Sequence, residues 1–445
     1  MDFLVRINQQ VNGIVWGPPM MILLMGTGLL LTIVTGAIQI RRLPDAFREV
    51  LGKLLSKSQG AGTVSPFQAL STALASTVGV GNIAGVSTAV FLGGPGALFW
   101  LWLSGLLGMC TKFSEIAIAL YYRQEDADGV MRGGAMYVLE KGLGWRWLGM
   151  VFAFLTAAAA FGIGNMVQAN SVAEAASASF GISPVVTGLV LAILTALVIL
   201  GGIRRIAEVT QFLVPFMCLF YILGALVVVA RYWSEIPAVF DLVLRSAFEG
   251  HAAAGGFAGA GVMAAMRFGV ARGLFSNEAG LGSAPMAHCS AVTDHPVRQA
   301  MYGIFEVFVD TMVVCLLTGF VVLATGAWQS GETGAALSAR AFAIGLPGEW
   351  GHIVVSTGLI SFAFSTIIGW AYYGETGITF LFGPKAAMPY RVAWILFVMV
   401  GAMGSLHLVW DIADTLNGLM AIPNLIGVLA SLGLLRRLIR EFFVK

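Results

Sequence analysis

The stretch STVGVGNIAG, residues 76–85, interrupts an apolar run between FQALSTALA (67–75) and VSTAVFLGG (86–94). Glycines in a helix interior cost about 1 kcal/mol each relative to alanine, and here they stand at 79, 81 and 85 beside Thr77 and Asn82. The pattern predicts a helix opened at 78–82. An open backbone surrounded by lipid leaves amides and carbonyls unpaired at several kcal/mol, so it is tolerated only where it lines a site. The half-helix before the break ends in free carbonyls suited to a hard cation. The half-helix after it begins with free N–H groups suited to a carboxylate. Asn82 offers the cation a neutral oxygen and Thr77 a hydroxyl, while Gly79 and Gly81 let a ligand touch the main chain. The plainer alternative is a seam of small residues where helices pack.

Composition names the solvent. Hydrophobic residues make up 58% of the 445 and charged residues 11%, against about 25% charged in a soluble domain. Eleven apolar segments follow: 18–40, 67–92, 96–121, 146–178, 184–203, 209–230, 257–288, 298–326, 351–383, 391–409 and 412–435. The connection 41–66 reads as an interfacial amphipathic helix followed by a flexible Gly/Ser piece. Residues 1–17 are mixed and no small-residue cleavage site follows, so no cleavable leader is expected. Eighteen of the 25 lysines and arginines fall on connections of one side and four on the other. By the positive-inside rule the N-terminus lies outside and the C-terminus in the cytoplasm. The four cysteines (110, 218, 289, 315) lack metal spacing and read as packing residues.

A second interrupted segment, 257–288, carries Arg267, Arg272, Phe275, Asn277 and Glu278. Four segments separate it from the first. Setting 18–40 aside as an extra helix leaves five segments in 67–230 and five in 257–435, and an odd number per half makes the second half inverted. The expected fold is therefore an all-α polytopic membrane protein of eleven transmembrane helices. It forms one transporter domain over 1–445, a 5+5 inverted repeat with two discontinuous helices. Paired breaks at matching places point to a transporter's binding site.

The run GGPGALFWLWLSGLLG (93–108) resembles the signature of the alanine or glycine:cation symporter family, with Leu101 where methionine is usual. NMVQANSVAEA (165–175), GLFSNEAGLGSAPMAH (273–288) and GWAYYGE (369–375) are similar to that family too, and VGVGN (78–82) resembles the break of neurotransmitter:sodium symporters. The resemblance implies a Na⁺-coupled carrier of a small neutral amino acid working by alternating access; with no eukaryotic targeting feature visible, a prokaryotic plasma (inner) membrane is expected. Alanine, glycine, serine and D-isomers stay open, and a proton-coupled symporter of the same fold is the alternative. It also implies that 146–178 and 351–383 flank the first break. Asn165 and Gln168, three apart, then share a face and can bind the substrate's amino or carboxylate group, unless they clamp two helices. Ser365 and Thr366 resemble the fold's cation-binding hydroxyl pair and complete a site with the carbonyls of Ala75 and Val78, unless they bond back to their own helix. Trp370, one turn on, is expected to cap the pocket with Phe275 and limit side-chain size; Asn277 joins the substrate set from the second break.

Other intramembrane charges are functional candidates by default. Lys112 and Glu115 are expected to pair, Glu306 and Asp310 to meet Arg267 or Arg272, and Glu278 to act as a gate or hinge charge. Five scattered histidines (251, 288, 295, 352, 407) form no catalytic pattern and no nucleotide motif appears, so neither enzyme chemistry nor a cofactor other than the coupling Na⁺ is expected. Lysines often stand at the cation position of proton-coupled carriers of this fold; none lies in 67–92 or 351–383, which favours Na⁺.

Overall fold

A computed structural model describes residues 2–52, 59–249, 261–404 and 407–444; Lys53, Lys57, His251 and the start of the 257–288 segment lie outside them. The chain is mostly helical. It opens with α1 (Asp2–Val15), α2 (Pro18–Thr35), α3 (Ile38–Arg41) and α4 (Leu43–Gly52), and then breaks between α5 (Pro66–Thr77) and α6 (Val86–Gly93). There follow α7 (Ala97–Tyr121), the short α8 (Ala135–Tyr137), α9 (Arg146–Ala159) running through a π turn into α10 (Val167–Phe180), α11 (Pro184–Ile199), α12 (Gly202–Arg231) and α13 (Ile236–Phe248). The remainder comprises α14 (Val262–Asn277), α15 (Ala284–His288), α16 (Pro296–Val307) joined by a π turn to α17 (Leu316–Ala324), α18 (Gly334–Gly345), α19 (Trp350–Phe382), α20 (Ala387–Met403), α21 (His407–Ala430) and α22 (Leu432–Phe443). Among the described residues, eight helices are long and apolar enough to cross a membrane, nine with the α5/α6 pair, which bends by 51°. At 16 residues α11 is apolar but shorter.

Local chemistry fixes where the broken helices begin and end. α5 starts on a capping box: Ser65 Oγ accepts from the Gln68 N–H at 3.1 Å and Gln68 Oε1 from the Ser65 N–H at 3.0 Å, with Pro66 at the first helical position. Two orphan donors are thereby satisfied. α14 ends at Glu278 in the left-handed region (φ 55°), and Gly280 and Gly282 (φ 93° and 76°) carry the chain to α15. Side chains rarely adopt such backbone, so the glycines are required there. α14 lies along α7 through small residues: a Cβ at Gly269 would strike the Ala97 carbonyl, and one at Gly273 the Ser104 hydroxyl. Likewise Gly369 lets α19 close on Ser76 of α5.

The connections depart from the sequence reading. The described part of the Gly/Ser piece is tied down, with Thr63 N–H donating to Ser290 O (2.7 Å) and Val292 N–H to Val64 O (2.8 Å). Several helices fall outside the expected segments, α1 and most of α22 among them, and two lie in connections between segments, α13 and α18. Both are short and amphipathic, so their polar residues read as connection. α18 buttresses the first break, its Ser338 hydroxyl donating to the Ile83 carbonyl (2.9 Å) within the π turn Gly81–Gly85. All four cysteines are buried and free.

Candidate functional site

The first break is an extended residue followed by a widened turn. Val78 leaves the helix at ψ 93°, and the chain re-enters through the π turn Gly81–Gly85. Asn82 Oδ1 accepts from the Gly79 N–H at 2.9 Å, holding the loop shut. α19 lies against it. Ser365 Oγ donates to Ala75 O (3.1 Å) and to Phe362 O (2.8 Å); Thr366 Oγ1 donates to Phe362 O (3.0 Å) and faces Gly79, where a Cβ would come within 2.7 Å of it. Ala75, Val78, Ser365 and Thr366 thus converge at the break. Hydroxyls that spend their proton on Phe362 keep their lone pairs free for a cation. Thr77 bonds back to Ala73 O (3.2 Å).

Beside the break is a cavity of about 90 Å³, bounded among others by Gly81, Gly85, Gln168, Arg272 and Phe275. The Phe275 ring lies against Gly81, where a Cβ would sit 3.2 Å from it. Gln168 donates to Ile163 O at 3.0 Å, and its buried Oε1 has no protein partner. An acceptor left like that suits an ammonium donor. The sequence reading missed Arg272 as a wall of this cavity; its guanidinium lies 5.7 Å from the Phe275 ring centroid. A larger cavity of about 420 Å³ shares Val80, Ala84 and Thr88 with the small one and extends between α6, α10, α18 and α19.

Three other expected residues face elsewhere. Asn165 donates to Trp394 O (2.8 Å), joining α20 to the π turn Ala160–Met166. Asn277 donates to Thr311 Oγ1 (3.2 Å) and accepts from the Ala279 N–H (3.0 Å), stitching the second break. Trp370 packs on Gly164 and donates its indole N–H to Glu278 Oε1 at 2.8 Å, linking α19 to that break.

Buried charges pair differently from expectation. Lys112 reaches Glu306 (3.1 Å) rather than Glu115, because α16 packs on α7 with both side chains turned inward. Glu306 also meets His288 Nε2 (2.9 Å), whose Nδ1 faces Gln299 Nε2 (3.0 Å). Glu115 takes Asn424. Neither Glu306 nor Asp310 meets an arginine: Arg272 lines the cavity, and Arg267 lies over Phe268. Asp310 instead receives Asn82 Nδ2 (2.6 Å), Ser276 Oγ (2.9 Å) and Thr311 Oγ1 (2.7 Å).

At one end the molecule is closed by charged connections. Arg132, on a short hairpin, binds Asp126 and Glu375, and Arg391 grips Glu375 at 2.7 and 2.9 Å. Burial opposes the Arg132 charge, but Tyr372, Glu375 and Asp126 around it raise its pKa above the usual guanidinium value. Burial works against the Asp126 charge as well, yet the hydrogen bond from Arg132 and two backbone N–H groups hold its carboxyl below the usual range.

The family model described as "Sodium:alanine symporter family" matches residues 1–445. Sodium/alanine symporter AgcS of Methanococcus maripaludis is 50% identical over 437 residues, 96% of this chain and 95% of its own. Probable sodium/glutamine symporter GlnT of Bacillus subtilis is 37% identical over 419 residues, 94% of this chain and 86% of its own. Among solved structures the fold is shared with MhsT in complex with L-phenylalanine, at TM-score 0.57 and 14% identity over 87% of this chain and 99% of that one. It is shared too with the Eremococcus coleocola manganese transporter, at 0.53 and 14% over 84% and 80%. Matched from end to end and apolar through its long helices, the chain belongs to the sodium:alanine symporter family, multi-pass membrane transporters that couple a cation to an amino acid.

Proposed function

We propose that the protein carries alanine or glycine inward together with Na⁺ by alternating access about the first break. The observation that carries the reading is the small cavity. At about 90 Å³ it is far below the ~300–1,000 Å³ of pockets for drug-sized ligands, and Phe275 closes it over glycine backbone. The backbone at Gly79 and Gly81 receives the carboxylate, Gln168 Oε1 receives the ammonium, and the aromatic wall leaves room for a methyl group. Cavity size is what favours alanine or glycine here over a longer side chain such as that of glutamine. Na⁺ takes the carbonyls of Ala75 and Val78 and the hydroxyls of Ser365 and Thr366. Asn165, Asn277 and Trp370 act on the site by holding its walls.

In this reading eleven segments cross the membrane, one extra helix followed by two inverted halves (67–230 and 257–435), with the N-terminus outside. The larger cavity then opens outward and the Arg132–Glu375–Arg391 cluster closes the cytoplasmic side, which is an outward-facing arrangement. Uptake of labelled alanine into proteoliposomes tests the reading, under a Na⁺ gradient or a pH gradient alone, with competition by glycine, serine, valine, leucine and glutamine. Uptake should need Na⁺ and yield only to small competitors. Leucine competing as well as alanine, or uptake driven by pH alone, would overturn it.

A further inference from the structure

α22 follows α21 after a single residue, Ser431, which breaks the helix at φ −99° and ψ 14°. It therefore stands where a membrane-crossing helix ends. Its Leu435 and Leu438 are buried in an apolar cluster shared with Leu31 of α2, Phe113 of α7 and Met301 of α16. The opposite side carries Arg436, Arg437 and Arg440, all exposed. The helix is also pinned at its end. Phe443 lies 4.2 Å from the Arg42 guanidinium and Phe442 lies 5.3 Å from that of Arg298, measured to the ring centroids. Arg437 donates to the Tyr121 hydroxyl at 3.1 Å, at the end of α7. Only one carboxylate opposes the three arginines: Glu441 stands 3.6 Å from Arg437, and both are exposed. Among the described residues Arg436 and Arg440 pair with no carboxylate, and one turn apart they face the same way.

We propose that the Arg436–Arg437–Arg440 face of α22 binds the phosphates of anionic phospholipids in the leaflet it borders. A basic stripe on an amphipathic helix that directly follows a membrane-crossing helix is placed at headgroup height, where each cation gains from the negative surface. Guanidinium groups take phosphate oxygens through paired N–H donors. The stripe lies on the open outer face of a helix, so a soluble phosphate finds no enclosure there, whereas a leaflet presents many phosphates in one plane. In the proposed orientation the leaflet is the cytoplasmic one. α22 packs on α7, and α7 packs along α14, the helix that ends at the second break. Lipid held on α22 thus steadies a scaffold next to that break, and transport rate should follow the headgroup.

Lipid retention tests the binding and needs no transport, so a wrong substrate assignment leaves it intact. Purified protein in detergent is mixed with equal amounts of phosphatidylglycerol and phosphatidylcholine, freed of unbound lipid, and the lipid kept per chain is measured by mass spectrometry. Wild type should retain phosphatidylglycerol several-fold over phosphatidylcholine, and the preference should fade as salt rises. The triple variant Arg436→Gln, Arg437→Gln, Arg440→Gln should lose it, each arginine being worth roughly fivefold in affinity, and lysine at all three positions should restore most of it. Equal retention of the two lipids by wild type, or a preference that the triple glutamine variant keeps, overturns the proposal. Displacement of the lipid by inorganic phosphate makes the face a soluble-anion site and overturns it too. Should the triple variant not fold, Arg436→Gln and Arg440→Gln made singly should each lower the preference, and no change in either overturns it. In liposomes, alanine uptake should rise several-fold as phosphatidylglycerol replaces phosphatidylcholine, for wild type but not for the variant. A rate indifferent to the headgroup overturns the effect on transport and leaves the binding face standing.

Discussion

Phe275 and Trp370 divide roles that the sequence assigns to them jointly. Phe275 faces the cavity across Gly81, whereas Trp370 lies behind it between Gly164 and Glu278. Overfilling a packed site costs about 1–3 kcal/mol, so trimming Phe275 should relax the size limit. Phe275→Leu is expected to admit valine as a competitor roughly tenfold better while weakening alanine modestly. An unchanged cutoff in a ladder of side-chain sizes would show that another residue sets it. Trp370→Phe keeps a ring against Gly164 but removes the donor to Glu278, leaving a buried carboxylate one bond short at about 1–3 kcal/mol. It should lower transport rate without moving the size cutoff. A shifted cutoff would return Trp370 to the cavity wall. At Thr366, loss of the hydroxyl should raise the half-saturating Na⁺ concentration several-fold in uptake assays, and an unaltered Na⁺ curve would exclude it as a ligand.

Elements explain which of these positions could be read from sequence. The break at 78–82 was legible because glycines are costly inside a helix, and the chain bends there by 51°. The π turns were not, since one extra residue in a turn changes no composition. Asn165 shows the result. Placing it on one face with Gln168 assumes 3.6 residues per turn, but the π turn Ala160–Met166 widens that stretch and sends Asn165 to Trp394 instead. Pairing across helices was equally hidden: spacing put Lys112 beside Glu115, but only packing of α16 on α7 brings Glu306 to it. The hairpin carrying Arg132 yields a prediction at this scale. The Asp126 carboxyl is held below the usual range, so its contribution is complete above the ordinary aspartate pKa of about 3.9 and is lost as pH falls through the lower folded value. Asp126→Asn should cost about 1–3 kcal/mol at neutral pH, read as a lower Tm in detergent, and the difference from wild type should vanish in strong acid. A difference independent of pH would mean that packing, not charge, is responsible.

Over the whole molecule, an open cavity on one side and a charged closure on the other make a statement about access that labelling can check. Ala336 is exposed on the wall of the larger cavity, and the four native cysteines are buried. Ala336→Cys should therefore react with a membrane-impermeant thiol reagent from outside, over a low background. Na⁺ with alanine should slow that reaction several-fold as the cavity closes. Labelling only from the cytoplasmic side would invert the proposed orientation.

Glu278 ends α14 in a left-handed turn and receives the indole N–H of Trp370 from α19, so one hydrogen bond fastens α19 to the second break. A fastening of that kind works as a latch, one that must be undone and remade whenever the two elements shift relative to each other. A latch sets the pace of a cycle rather than the strength of binding.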